Sequence, residues 1–309
     1  KGLPVGKSNP MFGITVHESV IEDRVKREPE SVIRRYHLNQ WVAGEDIWIP
    51  YGAWDACQSS IDLDPALPLF VGIDMARTID SSAVVGCQRI DQRPLTCPLC
   101  GAADVSFSPI EEGEGAHCSA CGDLVLSPPP EYRYPVRATI WANPYTESDP
   151  LYSQWTMNPH LVIEFCRDLF VRYPASACAI DDVVMPGPMF AYDPWRFRAE
   201  ADLLTGEGLA MVELPQTDAR MIPASQALYE AIMRGLVAHD GDPSFKRHMQ
   251  AATAEQRDRG WRISKPKGSK RKIDAAVAAA IAVYNAMTTA PPAQPRRSVY
   301  EERGIRVIG

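Results

Sequence analysis

The chain has 309 residues, room for two domains or for one with large embellishments. At 45% hydrophobic and 23% charged it has ordinary globular composition, and its longest apolar run, the ten residues Ala275 to Tyr284, is about half of what a transmembrane helix needs. A net charge of −7 argues against a uniformly basic nucleic-acid wrapper but leaves room for a local basic site.

The chain opens on Lys1-Gly-Leu-Pro without Met and without a charged-then-apolar leader, so it is expected to be a fragment or processed piece with no secretory signal. Residues 1–60 are irregular and aromatic, with one helix expected over Glu30 to Trp41. They read as the tail of something upstream or as a linker. Gly6-Lys7-Ser8 mimics the end of a phosphate loop, but the required first Gly falls on Lys1, so an ATP site is rejected. His17-Glu18 lacks the second His of a zinc-protease helix.

Leu69 to Ala76 is an apolar strand, Arg77 to Asp80 a turn, and Ser81 to Ile90 a second strand. The two form an antiparallel hairpin. Residues 91–130 interrupt the pattern, and Tyr134 to Trp141 resumes it, which gives a three-stranded meander with an insertion at its second turn. Apolar residues at three- and four-residue spacing predict a helix over Pro159 to Tyr173. A short strand over Met189 to Asp193, a helix over Arg196 to Leu204 and a strand over Met211 to Leu214 follow. Helices are then expected over Pro223 to Ala238, over 241–256 and over Ile273 to Met287. Residues 290–309 read as a flexible tail. Three meander strands followed by alternating strands and helices predict an α/β fold with a mixed sheet flanked by helices. That order resembles the RNase H-like fold.

Asp74 sits inside an apolar strand, where a charge is costly unless something positive pairs with it. Asp193 precedes Pro194 and reads equally as a helix cap. Asp274 opens the Ala-rich helix, a position the helix dipole favours. In the inferred topology the first and fourth strands are neighbours. The small face Ala275, Ala278, Ala279 and Ala282 lets the last helix approach them, so the three carboxylates are expected to converge within metal-binding distance. Hard oxygen ligands suit Mg²⁺ or Mn²⁺, and two such ions clamp the attacking and leaving oxygens of a phosphodiester displacement. Asp74 is expected to bridge the ions, with Asp193 and Asp274 each holding one side. Asp80 is an accessory candidate, and Asp181 or Asp182 rivals Asp193.

Cys97, Cys100, Cys118 and Cys121 have the spacing C-x₂-C-x₁₇-C-x₂-C of a structural tetrathiolate zinc site. A glycine follows each pair, which points to a zinc ribbon inserted at 91–130, with His117 as a bystander. The other four cysteines are expected in the core. Residues 257–272 gather eight basic side chains against one acid: Arg257, Arg259, Arg262, Lys265, Lys267, Lys270, Arg271 and Lys272. Leading directly into Asp274, they are candidates for holding a nucleic-acid backbone. Trp261 is expected to pack rather than to stack on a base.

His37-Leu-Asn-Gln-Trp41, Val71-Gly-Ile-Asp-Met-Ala76, Ala191-Tyr-Asp-Pro-Trp195, Met221-Ile-Pro-Ala-Ser225 and Lys272-Ile-Asp274 form an ordered set. On these the chain resembles the C-terminal part of tailed-phage terminase large subunits of the HK97-like group. The resemblance covers roughly 31–289 and implies an RNase H-like endonuclease domain at 61–289 that cuts concatemeric viral double-stranded DNA during packaging. The matched acidic positions are Asp74, Asp193 and Asp274. It implies an upstream ATPase domain in the same protein, of which 1–60 would be the tail, and a small subunit and portal as partners. Action would be in the host cytoplasm, with no membrane contact. The ATPase motifs are absent from this chain, and the zinc ribbon is not a general family feature. Another RNase H-like nuclease of the resolvase or transposase type, or a non-enzymatic zinc-ribbon module, are the alternatives.

Overall fold

The computed structural model describes residues 47–290 except 61, 78–80, 111–114, 127–130, 147 and 267, together with Ser19, Arg24 and Ile33. Asp80, Lys267, the expected helix at Glu30 to Trp41 and the tail from 291 lie outside the described residues.

Strands β1 (Phe70–Asp74), β2 (Ser82–Cys87) and β7 (Tyr132–Trp141) are the expected antiparallel meander, with β3 (Ile90–Asp91) also pairing β7. Strand β10 (Met189–Tyr192) lies parallel to β1 on its other side, with Ile73 opposite Tyr192, and β11 (Ala210–Glu213) lies parallel to β10. The short β12 (Val237–Ala238) closes the far edge, giving the order β11-β10-β1-β2-β7-β12. Parallel pairs on one side of β1 and antiparallel pairs on the other make the sheet mixed, as expected.

Helices cover both faces. A single turn, α1 (Ala53–Ala56), precedes the sheet. On one face, α2 (Pro159–Arg172) and α3 (Pro194–Gly206) pack through Val162, Cys166, Phe197 and Leu204 onto Val71, Ile73 and Phe190. On the other, α4 (Asp218–Met233), α5 (Pro243–Ala251) and α6 (Asp274–Thr288) enclose the larger core. Trp48 and Trp54 are buried in that core, and the Trp48 indole donates to Met249 O at 2.7 Å. Three helices start the same way. Asn158, Asp193 and Asp242 each accept a backbone N–H from the first turn, and each is followed by Pro, whose fixed φ suits the first helical position.

Two expected boundaries differ. Helix α4 begins five residues before Pro223, which it carries in its interior, and ends where Gly235 turns left-handed at φ 66° to release β12. The segment 241–256 is a helix only to Ala251. After it, β13 (Thr253–Arg257) and β14 (Gly260–Ser264) pair as a hairpin. Trp261 and Ile263 are buried with the core while Gly260, Arg262 and Ser264 alternate outward, the period of a half-buried strand. Trp261 packs against Trp48 and Tyr229, the packing role expected for it.

Candidate metal centre and its cleft

Gly72, in the middle of β1, has no Cβ, and α6 lies directly upon it. A Cβ there would fall 2.1 Å from Ala278 O and 3.0 Å from Ala282 N. The sheet and the final helix therefore touch backbone to backbone. Side chains alternate along a strand, so Asp74 emerges on the same face as Gly72, about 7 Å further along. One helical turn back from Ala278, about 5–6 Å, is Asp274. The Gly72–Ala278 contact thus brings the end of β1 and the start of α6 to the same place. Strand β10 supplies the third element, because its last residue, Tyr192, pairs with Ile73 and the next is Asp193.

All three aspartates line one open cleft of about 340 Å³, together with Met75, Trp195, Arg196, Gln216, Arg262 and Lys265. Each carboxylate has one oxygen engaged by an uncharged donor. Gln216 Nε2 donates to Asp74 Oδ1 at 2.9 Å, the Trp195 N–H donates to Asp193 Oδ1 at 3.2 Å, and the Ser81 hydroxyl donates to the buried Asp274. A carboxylate has about four lone-pair sites, and a neutral donor orients it while adding no counter-charge of its own. At the root of α6, His248 Nδ1 accepts the Ala275 N–H at 3.1 Å. Arg262 Nη1 donates both to Gln216 O at 3.0 Å and to Asp218 Oδ1 at 3.1 Å, which fixes the loop that presents Gln216.

Asp181 and Asp182, the rivals of Asp193, form the turn of a separate hairpin, β8 (Ala179–Ile180) and β9 (Val183–Val184), at φ 48° and 63°. Both are exposed and outside the cleft lining. Two positive φ values in a two-residue loop suit Asp in a primed turn. Asp193 caps α3 and also lines the cleft. The three aspartates share a cleft without the tight clustering of the cysteines, which among the described residues are the group of potential ligands drawn closely together.

The basic segment divides. Arg257 and Arg262 lie on the hairpin, paired with Glu255 at 2.8 Å and Asp218 at 3.1 Å respectively, so part of its charge is matched internally. Arg262 and Lys265 line the cleft, Arg259 is exposed at the hairpin turn, and Lys270, Arg271 and Lys272 lead into α6. Ser81, Gln216 and His248 escaped sequence reasoning because neutral residues in loops, or on a charged helix, carry no periodic signal.

Between β3 and β7, strands β4 (Phe107–Pro109), β5 (Ala116–Cys118) and β6 (Leu124–Val125) form a small sheet with its own core of Leu95, Cys97, Val105, Cys118 and Val125. The sulfurs of Cys97, Cys100, Cys118 and Cys121 lie within 4.8 Å of one another. Each pair folds into the same knuckle: Gly101 N–H and Gly122 N–H reach back to the carbonyls of Cys97 and Cys118 at 2.9 Å, with φ of 73° and 75°. A side chain is disfavoured at those angles, which explains both glycines. The Cys100 N–H, foremost among several donors, brings the Cys97 thiol down to about 7. Against the pull of the Asp123 N–H, desolvation and hydrogen bonds to Cys100 and Cys118 push Cys121 up to about 12. His117 Nδ1 contacts Gly122 O at 2.9 Å and stands outside the sulfur cluster. Cys57, Cys87, Cys166 and Cys178 are buried in the core as expected, and burial raises all four thiols.

No protein-family model matches the chain, and no curated protein does. Solved structures do. The crystal structure of the HK97 bacteriophage large terminase aligns with a TM-score of 0.51 at 18% identity, over 89% of this chain and 52% of that one. The large terminase nuclease from thermophilic phage G20c aligns at 0.43 and 12%, over 77% and 97%. The large terminase of a second thermophilic bacteriophage aligns at 0.44 and 12%, over 86% and 52%. The chain spans about half the length of the HK97 terminase it matches. Its fold is the RNase H-like mixed sheet found there, and the resemblance read from the sequence motifs stands at the level of the fold.

Proposed function

We propose that this chain is the nuclease portion of a phage terminase large subunit, a divalent-metal-dependent endonuclease that cuts concatemeric double-stranded viral DNA during genome packaging. The observation that carries the reading is the cleft itself. Asp74, Asp193 and Asp274 come to it from β1, the β10–α3 junction and α6, with Arg262 and Lys265 beside them.

The donor set fits two Mg²⁺ or Mn²⁺ ions, because hard cations take carboxylate oxygens and these are oriented by neutral donors. Bound there, such ions would supply an activated water and stabilise the leaving oxygen. The chain's own contribution is ligands and counter-charge: Asp74, Asp193 and Asp274 would hold the ions, and Arg257, Arg259, Arg262, Lys265, Lys267, Lys270, Arg271 and Lys272 would hold the phosphate backbone. Four clustered thiols with one acidic member fit a structural zinc ion. On this reading residues 1–60 end an upstream ATPase domain, 61–289 are the nuclease domain and 91–130 its ribbon. The small subunit and portal are partners, and the work is done in the host cytoplasm.

The test is plasmid nicking in Mg²⁺ or Mn²⁺ by wild type, Asp74→Ala and Asp274→Ala. Both variants should cut at least about 100-fold more slowly, the loss expected when several kcal/mol of charge stabilisation is removed. Undiminished cutting by both would overturn the site.

A further inference from the structure

Trp195 is the outlier among the tryptophans of the described residues. Trp48, Trp54 and Trp261 are fully buried, and Trp141 and Trp155 pack against the second core. Trp195 is 83% exposed and takes part in none of the ring contacts among the described residues. It nevertheless stands on fixed backbone. Pro194 precedes it in the first turn of α3, its N–H is held by Asp193, and the next carbonyl, Arg196 O, is gripped by the Arg77 guanidinium at 3.1 and 3.2 Å. A large planar apolar surface is thus presented at the rim of the carboxylate cleft, with Arg196 on the same rim and Arg262 and Lys265 in the lining.

Aromatic faces held rigidly beside cationic side chains are how proteins take hold of nucleobases without reading their identity. In an intact duplex both faces of every base are covered by its neighbours. An indole at the rim therefore meets a base face only where a step has opened. We infer that Trp195 is a base-stacking platform, and that the cleft takes DNA whose bases beside the scissile phosphate are unpaired or unstacked. This rests on the nuclease reading of the cleft and adds to it a substrate form: a locally opened strand.

The experiment is equilibrium binding by the full chain in Ca²⁺, which permits binding to be read without turnover. The probes are a fluorescent single strand, the matching duplex, and the duplex with a short mismatched bubble. Trp195→Ala should weaken the single strand and the bubble by about 5- to 150-fold, with Trp195→Phe retaining most of the affinity and the intact duplex changed less than about twofold. Because the indole is exposed, both variants should keep the wild-type thermal transition. Equal loss on all three probes would overturn the inference by making Trp195 a general contact. Unchanged binding on all three would also overturn it and assign the rim to a protein partner. Binding is read separately from cleavage, so a wild type that binds as described but never cuts in Mg²⁺ or Mn²⁺ refutes the nuclease reading and not the platform.

Discussion

Ser81 and Gln216 each hold one oxygen of an aspartate from a different part of the chain, Asp274 and Asp74 respectively. On the proposed metal site they act as orienting groups, so Ser81→Ala and Gln216→Ala should lower Mn²⁺ affinity by about 10-fold, measured by calorimetry. Cleavage should recover at high metal concentration, which it would not if the substitutions damaged the fold. Ser81→Thr, which keeps the hydroxyl, should behave as wild type. At this scale the sequence was half legible. Asp74 breaks the expectation for an apolar strand, whereas Asp193 before Pro and Asp274 at a helix start are locally ordinary and were visible only through the topology that brings their elements beside β1. Their orienting partners break none. Nothing in the order of residues shows that position 216 faces position 74.

At the level of elements, the contact between β1 and α6 sets the geometry of everything above it. Gly72→Ala inserts a methyl where backbone already stands 2.1 Å away, and neither partner is a flexible side chain. Overpacking of this kind should destabilise the protein by about 1–3 kcal/mol or more, read from the urea midpoint, and should lower metal affinity by moving Asp274 from Asp74. The inserted sheet makes its own prediction. Protein purified without chelator should carry about one zinc per chain by metal analysis, and Cys100→Ser should lose it. Hydrogen-exchange protection should then disappear from β4–β6 and persist in β1, β2 and β7. Absence of zinc with all four thiols reactive would refute the metal. The cysteine spacing, the meander and the Ala-rich helix were legible because each has a strong one-dimensional signature. The β13–β14 hairpin was not, because its charges mask the alternation of Trp261 and Ile263. Helix α4 was misjudged because Pro223 looks like a start, whereas its true start at Asp218 has no side-chain cap.

Taken as a whole, the molecule separates its two special regions along the sheet. The Asp74–Ala83 rung lies at the cleft, and the Phe70–Cys87 rung lies four residues away, about 13 Å along the strands. The chain leaves for the cysteine insertion beyond Cys87 and returns on β7, whose Val136 faces Cys87 directly. The net charge concealed a similar separation, with a basic segment embedded in an acidic chain, and pairing within the hairpin was beyond what a count could reveal. The placement of the insertion has one more consequence. Its two ends are adjacent strands about 5 Å apart, a spacing the sheet maintains whatever lies between them. Closing a loop costs only slowly more as it lengthens, and here the ends are already held together. The turn is therefore a socket: an evolving lineage could widen it, empty it to a two-residue bend, or refit it with another small module, and the carboxylates at the opposite end of the strands would keep their positions.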